Sequence, residues 1–216
     1  MVTLSRIYTR TGDHGSTRLA DGSTTTKTGP RVEAYGSVDA ANTTIGLALA
    51  LDDQILPERV HRVLRLIQNE LFDVGSDLAS PLVSRPRFEP VRMEQRSIDR
   101  LEAWCDEFGG PLPTLHSFIL PGGNPVGAQL HVARTAVRSA ERAAWRAVEA
   151  YGTEVVDSVE TDDSGQGGVD ELAITYLNRL SDLLFILARV ANRADDPGEG
   201  NGDEVLWIPA GHRDEE

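Results

Sequence analysis

The chain has 216 residues, 40% hydrophobic and 25% charged, with 34 Asp and Glu against 21 Lys and Arg, a formal net charge of −13. That length and apolar content suit one globular domain with a full core, and the acidic balance argues against nonspecific nucleic-acid binding, which is driven by cations on phosphates. No apolar run approaches the roughly 18 residues of a membrane span, the start MVTLSRIYTRTGD lacks the apolar centre of a signal peptide, and the lone Cys105 excludes an intrachain disulfide or thiolate cluster, so a cytoplasmic protein with no membrane partner is expected.

The first segment, Ser5 to Lys27, reads SRIYTRTGDHGSTRLADGSTTTK. Gly12, Gly15 and Gly22 stand among Thr9, Thr11, Ser16, Thr17, Thr24 and Thr25, with Arg10, Arg18 and Lys27 interspersed. Glycines let backbone N–H groups converge, hydroxyls add donors and cations add charge, so the segment has the ingredients of a phosphate cradle. It is not a GxxxxGK[ST] loop and no strand precedes it. The same composition suits a plain turn-rich terminus, and Asp13 reads equally as a metal contact, a ribose contact or an Asx turn.

From Pro30 the pattern turns helical, with Val32, Tyr35, Val38, Ala41, Ile45, Leu47 and Leu49 striping one face to about Leu51 and Asp39 one turn before Asn42. A second helix starts at Pro57, carries Val60, Val63, Leu64, Ile67, Leu71, Phe72 and Val74 inward with Glu70 elsewhere, and ends near Gly75. Residues 79 to 90, with three prolines, form an irregular connection. A third helix is expected from about Arg92 to Phe108, stopped by Gly109 and Gly110, with Met93, Ile98, Leu101 and Trp104 inward.

The stretch Phe118-Ile-Leu-Pro-Gly-Gly-Asn-Pro125 is an apolar run ending in a turn that delivers the chain to a long helix reaching about Tyr151. On it Arg134, Arg138 and Arg142 recur every fourth residue and form one cationic stripe beside Glu141, against the acidic balance of the whole chain. That is an anion-binding face or, blandly, a solvated one crossed by ion pairs. An acidic, Gly-rich loop follows around Asp162, then a last helix from about Asp170 to Arg193 bearing Asn178 and Asp182 in an apolar pattern. The tail residues Glu204 to Pro209 are apolar enough to dock on the bundle. Five helices without strand alternation predict an all-α, single-domain bundle. His61, His116, His131 and His212 show no metal-ligand spacing and read as structural or exposed.

Three motifs then resemble one family. IYTRTGDHGSTRL with Lys27 and PRVEAYGSVDAANTTIGLA looks like the opening of PduO-type ATP:cob(I)alamin adenosyltransferases; FILPGG with LHVARTAVRSAER is similar to the family's central signature, and YLNRLSDLLFILARVAN to its last helix. In this order they span most of the chain. The resemblance implies a five-helix bundle assembled as a homotrimer with ATP at subunit interfaces, with residues 1–29 as the ATP-binding loop, 30–196 as the bundle and 197–216 as the tail. It implies transfer of the 5′-deoxyadenosyl group of ATP to the cobalt of cob(I)alamin, giving adenosylcobalamin and triphosphate. Cob(I)alamin is itself a strong nucleophile, which agrees with the lack of any Ser/His or Cys/His pair in the sequence.

Carried over residue by residue, the ATP loop maps to Thr9, Arg10, Thr11, Gly12, Asp13, Gly15, Thr17, Arg18 and Lys27, and the nucleotide-contacting helix to Arg138, Glu141 and Arg142. Asn178 matches an asparagine near ribose and adenine. Glu141 is the implied carboxylate nearest a Mg²⁺ on the triphosphate. Asp39 and Arg134 match a pair joining neighbouring subunits beside the cobalamin. Phe118 matches the aromatic that covers the lower face of the corrin and displaces its axial base, and Phe185 is a second wall of that pocket. A cobalamin reductase and an adenosylcobalamin-dependent client enzyme are implied partners. The sequence departs from the family at His14 and Ser139, where Lys and Arg are common, and in the longer acidic loop near Asp162. The alternative function is a carrier that binds ATP and adenosylcobalamin and delivers cofactor to a client; a ligand-free structural oligomer fits the Gly/Thr loop and the arginine stripe less well.

Overall fold

The computed structural model of the protein describes residue 8 and residues 10–157, 167–194 and 204–212. Its frame is five helices: α1 (Pro30–Leu51), α2 (Glu58–Leu78), α3 (Gln95–Gly109), α4 (Pro125–Tyr151) and α5 (Glu171–Asn192). α1 packs chiefly on α4, α4 on α5, α1 on α2 and α3 on α5. Where α1 meets α4 the buried residues are small, with Ala34, Ala41 and Ala48 on one helix and Ala133, Ala140, Ala144 and Ala147 on the other. Small side chains let two helix backbones come close, so the long α4 forms the spine of the bundle. None of the helices is long and apolar enough to cross a membrane among the described residues.

The helix ends follow the local chemistry. Pro125 opens α4, and the Asn124 side chain accepts from Gly127 N, a cap of about 1 kcal/mol. Asp170 caps α5 by accepting from Leu172 N. Gly152, at φ 71°, closes α4 with its N–H on Val148 O.

Several expectations are corrected. The N-terminal segment is not strandless: β1 (Ser16–Arg18) and β2 (Thr24–Thr26) pair as a small antiparallel hairpin. α2 runs through Gly75 to Leu78, because Val74, Asp77 and Leu78 continue the buried face and one glycine costs a helix only about 1 kcal/mol. α3 starts at Gln95 rather than Arg92, since Arg92 is used elsewhere: it donates to the Asp77 carboxylate, Ser80 O and Pro81 O. Asp77 Oδ2 also accepts from Met93 N at 2.7 Å, and burial pushes this carboxyl up to about 6 in spite of those bonds. Glu70 is buried, accepting from Tyr176 Oη at 2.9 Å and from Arg100, whereas Phe72 is 70% exposed and Leu47 also faces outward. Cys105 is half-buried and its thiol is pushed up to about 11, chiefly by burial, so it is inert at neutral pH.

The connections are tied to the bundle by backbone. Arg31, 1% exposed, donates to Leu78 O and to Gly167 O and Gly168 O, and its guanidinium lies over the Tyr151 ring at 4.8 Å. The start of α1, the end of α2 and the segment leading into α5 are thereby joined. A Cβ at Gly168 would stand 2.6 Å from Glu154 O, so only glycine permits this approach. The centre of the acidic loop near Asp162 and residues 197–203 of the tail lie outside the described residues.

Candidate functional site

The N-terminal loop folds back on itself. Gly15 N bonds Gly12 O at 3.3 Å, Lys27 N bonds Gly15 O at 2.8 Å, and a Cβ on Gly12 would meet Lys27 Nζ at 3.1 Å, so the Lys27 ammonium lies against the glycine turn. Gly15, at φ 82°, takes a conformation that favours glycine; Arg10 is held at φ 61° with its guanidinium 5.5 Å from the Tyr8 ring. Thr11, Asp13 and Arg18 are exposed around this turn and Gly12 and Thr17 half-buried; Thr9 lies outside the described residues. The hairpin is fastened to the bundle by a Thr17 bond to the Tyr35 phenol on α1 and by Ala20 N on Ala79 O. The result is a cationic, Gly-shaped turn at the α1–α2 side of the bundle.

Beside it, Tyr35, Asp39, Asn42, Leu71 and Phe72 line a depression of about 400 Å³ between α1 and α2. Asn42 is held by Gln68 O at 3.0 Å, while Asp39 is exposed and makes no ion pair among the described residues.

The second set of residues stands on α4 and α5. Glu141 Oε1 accepts from Asn178 Nδ2 at 3.0 Å, so these two predicted contacts are brought together across the helix pair. Arg138 and Arg142 are exposed and, among the described residues, neither donates a hydrogen bond or ion pair. The arginine stripe is therefore not crossed by intrahelical ion pairs. Arg134 is part-buried, its pKa lowered by burial and by the neighbouring Arg138 guanidinium, and its Nε is buried without a partner. One turn earlier His131 is 3% exposed with neither ring nitrogen bonded, its ring 6.0 Å from that of the half-buried Phe185 on α5.

His131 is the residue that sequence reasoning missed. It looked incidental because burial is set by α5, which no local pattern reports. An unpaired buried polar group costs roughly 1–3 kcal/mol, and both His131 ring nitrogens and Arg134 Nε are buried without a hydrogen-bond partner among the described residues. Burial and Arg134 both lower the His131 pKa, while Phe185 offers no charge from α5. The folded state therefore prefers neutral imidazole: its contribution is complete above the unfolded value near about 6.5 and is lost as pH falls through the lowered folded value. His131→Leu is expected to flatten the acid-side loss of stability, measured as urea midpoints between pH 7 and pH 5; an unchanged slope would contradict this account.

The Phe118 segment forms the third part. Asn192, at the end of α5, accepts from Asn124 N and donates to Gly122 O, and a Cβ on Gly123 or Gly127 would fall within 2.2 Å of Asn192 Oδ1. The FILPGG turn is thus clamped on α5. Phe118 is not a core aromatic; it is 78% exposed, with its ring edge-on to Trp207 of the tail at 6.2 Å. The expected docking of the tail is what the structure contains.

Among the described residues the loop set and the α4–α5 set are joined by no hydrogen bond or ion pair, and Asp39 and Arg134 do not meet within one chain. No group of three or more His, Cys, Asp or Glu gathers to hold a metal ion among the described residues.

Comparison with known proteins places this geometry. A family profile described as "Cobalamin adenosyltransferase" matches residues 7–191. The chain is 52% identical to a corrinoid adenosyltransferase of Mycobacterium tuberculosis over 98% of this chain and 97% of that protein. It is 39% identical to the corrinoid adenosyltransferase of Bacillus subtilis over 90% of each. Among solved structures, a phenylalanine-to-histidine variant of a PduO-type ATP:corrinoid adenosyltransferase from Lactobacillus reuteri, complexed with cobalamin and ATP, superposes with a TM-score of 0.78 at 30% identity, covering 94% of this chain and 96% of that one.

Proposed function

The chain belongs to the cobalamin adenosyltransferase family, and from that premise we infer that its bundle joins the 5′-deoxyadenosyl group of ATP to the cobalt of cob(I)alamin. The Co–C bond forms from an electron pair of Co(I) as the C5′–O bond breaks, the bonding pair of C5′–O leaving on triphosphate. The nucleophile belongs to the substrate, so the protein must bind, bend and neutralise the nucleotide and aim the corrin. The observation that carries this reading is the pair of unneutralised arginines, Arg138 and Arg142, next to the bonded Glu141–Asn178 pair.

We assign the phosphates to the N-terminal segment 1–29, with Thr9, Arg10, Thr11, Gly12, Asp13, Gly15, Thr17, Arg18 and Lys27, and to Arg138 and Arg142. Asn178 faces the ribose and adenine, and Glu141 stands beside Arg138 and Arg142 on the nucleotide-contacting helix. A Mg²⁺ on the triphosphate would draw most ligands from phosphate oxygens and water, with one or two protein carboxylates. Glu141, whose bond to Asn178 engages its Oε1, fits that place, and the ion would supply charge neutralisation.

A homotrimer is the assembly that unites the two sets of residues. The loop is fastened to α1 and the end of α2, the arginines stand on α4, and orphaned polar atoms at His131 and Arg134 favour a partner from outside the chain. Asp39 of a neighbouring subunit is the group we assign to Arg134, with the exposed Phe72 in the same contact. Phe118 and Phe185 would wall the lower face of the corrin.

The test is an anaerobic assay with purified protein, ATP, Mg²⁺ and chemically reduced cobalamin, following the Co(I) band as adenosylcobalamin appears. Conversion is expected. ATP binding without conversion would favour the carrier reading instead.

A further inference from the structure

The segment from Pro113 to Asn124 is a loop, and its two ends are held by α5: Arg189 donates to Pro113 O at 2.9 Å, and Asn192 binds Gly122 and Asn124. Between them, what supports Phe118 is the C-terminal tail. Ile119 pairs antiparallel with Leu206; Trp207 N donates to Phe118 O at 2.7 Å, Leu120 N to Val205 O at 2.8 Å, and Ser117 Oγ to Trp207 O at 2.7 Å. The tail is itself anchored by a buried carboxylate. Glu204, 6% exposed, accepts from Arg189 Nε at 2.8 Å and lies 3.9 Å from Arg193.

This ladder sets the backbone of Phe118 but not its side chain, which is 78% exposed and free to turn about χ1. Among the described residues the ring it meets is Trp207, centroid to centroid 6.2 Å at 67°, an edge-to-face arrangement that favours a particular rotamer. We propose that Trp207 is a positioning residue for the corrin pocket: carried on the tail, it holds the Phe118 ring in the orientation that keeps a ligand off the lower face of the cobalt. This rests on the lower-face role assigned to Phe118 above. On this account the chain beyond α5 belongs to the reaction, because Glu204 pins it to α5 and the ladder delivers Trp207 to the ring.

The experiment uses the full chain with ATP and cob(II)alamin, reading the fraction of four-coordinate Co(II) from its electronic and paramagnetic spectra. An edge-to-face pair biases a rotamer by about two- to tenfold. Trp207→Ala is expected to lower the four-coordinate fraction by about that factor with ATP affinity and melting temperature unchanged, and Trp207→Phe, which keeps an aromatic edge, to restore most of it. A merely structural tail would move the melting temperature and leave the fraction alone. Wild-type coordination in Trp207→Ala, alongside loss of it in Phe118→Ala, would overturn the proposal. Wild-type coordination in Phe118→Ala would overturn the lower-face assignment itself and this inference with it.

Discussion

Arg138→Ala is expected to lower kcat by about two to three orders of magnitude, the range found when one preorganised donor to developing transition-state charge is removed. The leaving triphosphate gathers negative charge as the C5′–O bond breaks, and a guanidinium already in place does not reorganise at that moment. The fold makes this a clean test. Arg138 is exposed and makes no hydrogen bond or ion pair among the described residues, so its loss should change stability by no more than about 0.5 kcal/mol. Removing it also relieves repulsion of Arg134, whose pKa it helps to lower. Steady-state kinetics with preformed cob(I)alamin, beside sedimentation to follow the assembly, would separate the two effects. Near-normal turnover in a variant that sediments like the wild type would remove the stripe from the ATP site.

Phe118→Ala is the second large effect, and it should depend on the oxidation state of the cobalamin supplied. Starting from cob(II)alamin with a reductant, product formation should fall below detection; starting from cob(I)alamin, it should persist. The reason lies in the axial position. An axial donor raises the orbital that accepts the incoming electron, so a side chain that excludes the donor makes Co(II) easier to reduce, axial-ligand identity being a lever that proteins hold over metal potentials. Phe118 can take that role because it is 78% exposed on a clamped loop, with its ring edge-to-face on Trp207. The same exposure means that alanine opens no core cavity. A variant that fails equally from both starting states would show that Phe118 serves binding or the transfer itself.

Much of this was legible without a structure, and the exceptions share a cause. The five helices, their order and most of their ends can be read from apolar spacing, Pro30, Pro125 and Gly152, since these are properties of neighbours three or four residues apart. The hairpin at Ser16–Arg18 and Thr24–Thr26 escaped because three-residue strands, Ser-Thr-Arg and Thr-Thr-Thr, carry no apolar alternation. Arg92 resembled a helix start until Asp77, fifteen residues earlier, claimed it. Phe72 and Glu70 exchanged their expected sides: Tyr176 Oη and Arg100 satisfy the carboxylate inside, and the phenyl ring is left 70% exposed.

The sequence by itself determined the all-α frame, the arginine stripe on α4, the Gly/Thr loop and the three motifs that mark the family, because each is written in consecutive or periodically spaced residues. Only the tertiary structure decided that His131 is buried without a partner, that Glu141 bonds Asn178, that the tail seats Trp207 on Phe118, and that among the described residues the loop and the stripe do not bond to each other within one chain. Those are contacts between residues tens of positions apart. Their partners are chosen by how whole helices pack, which local periodicity does not encode.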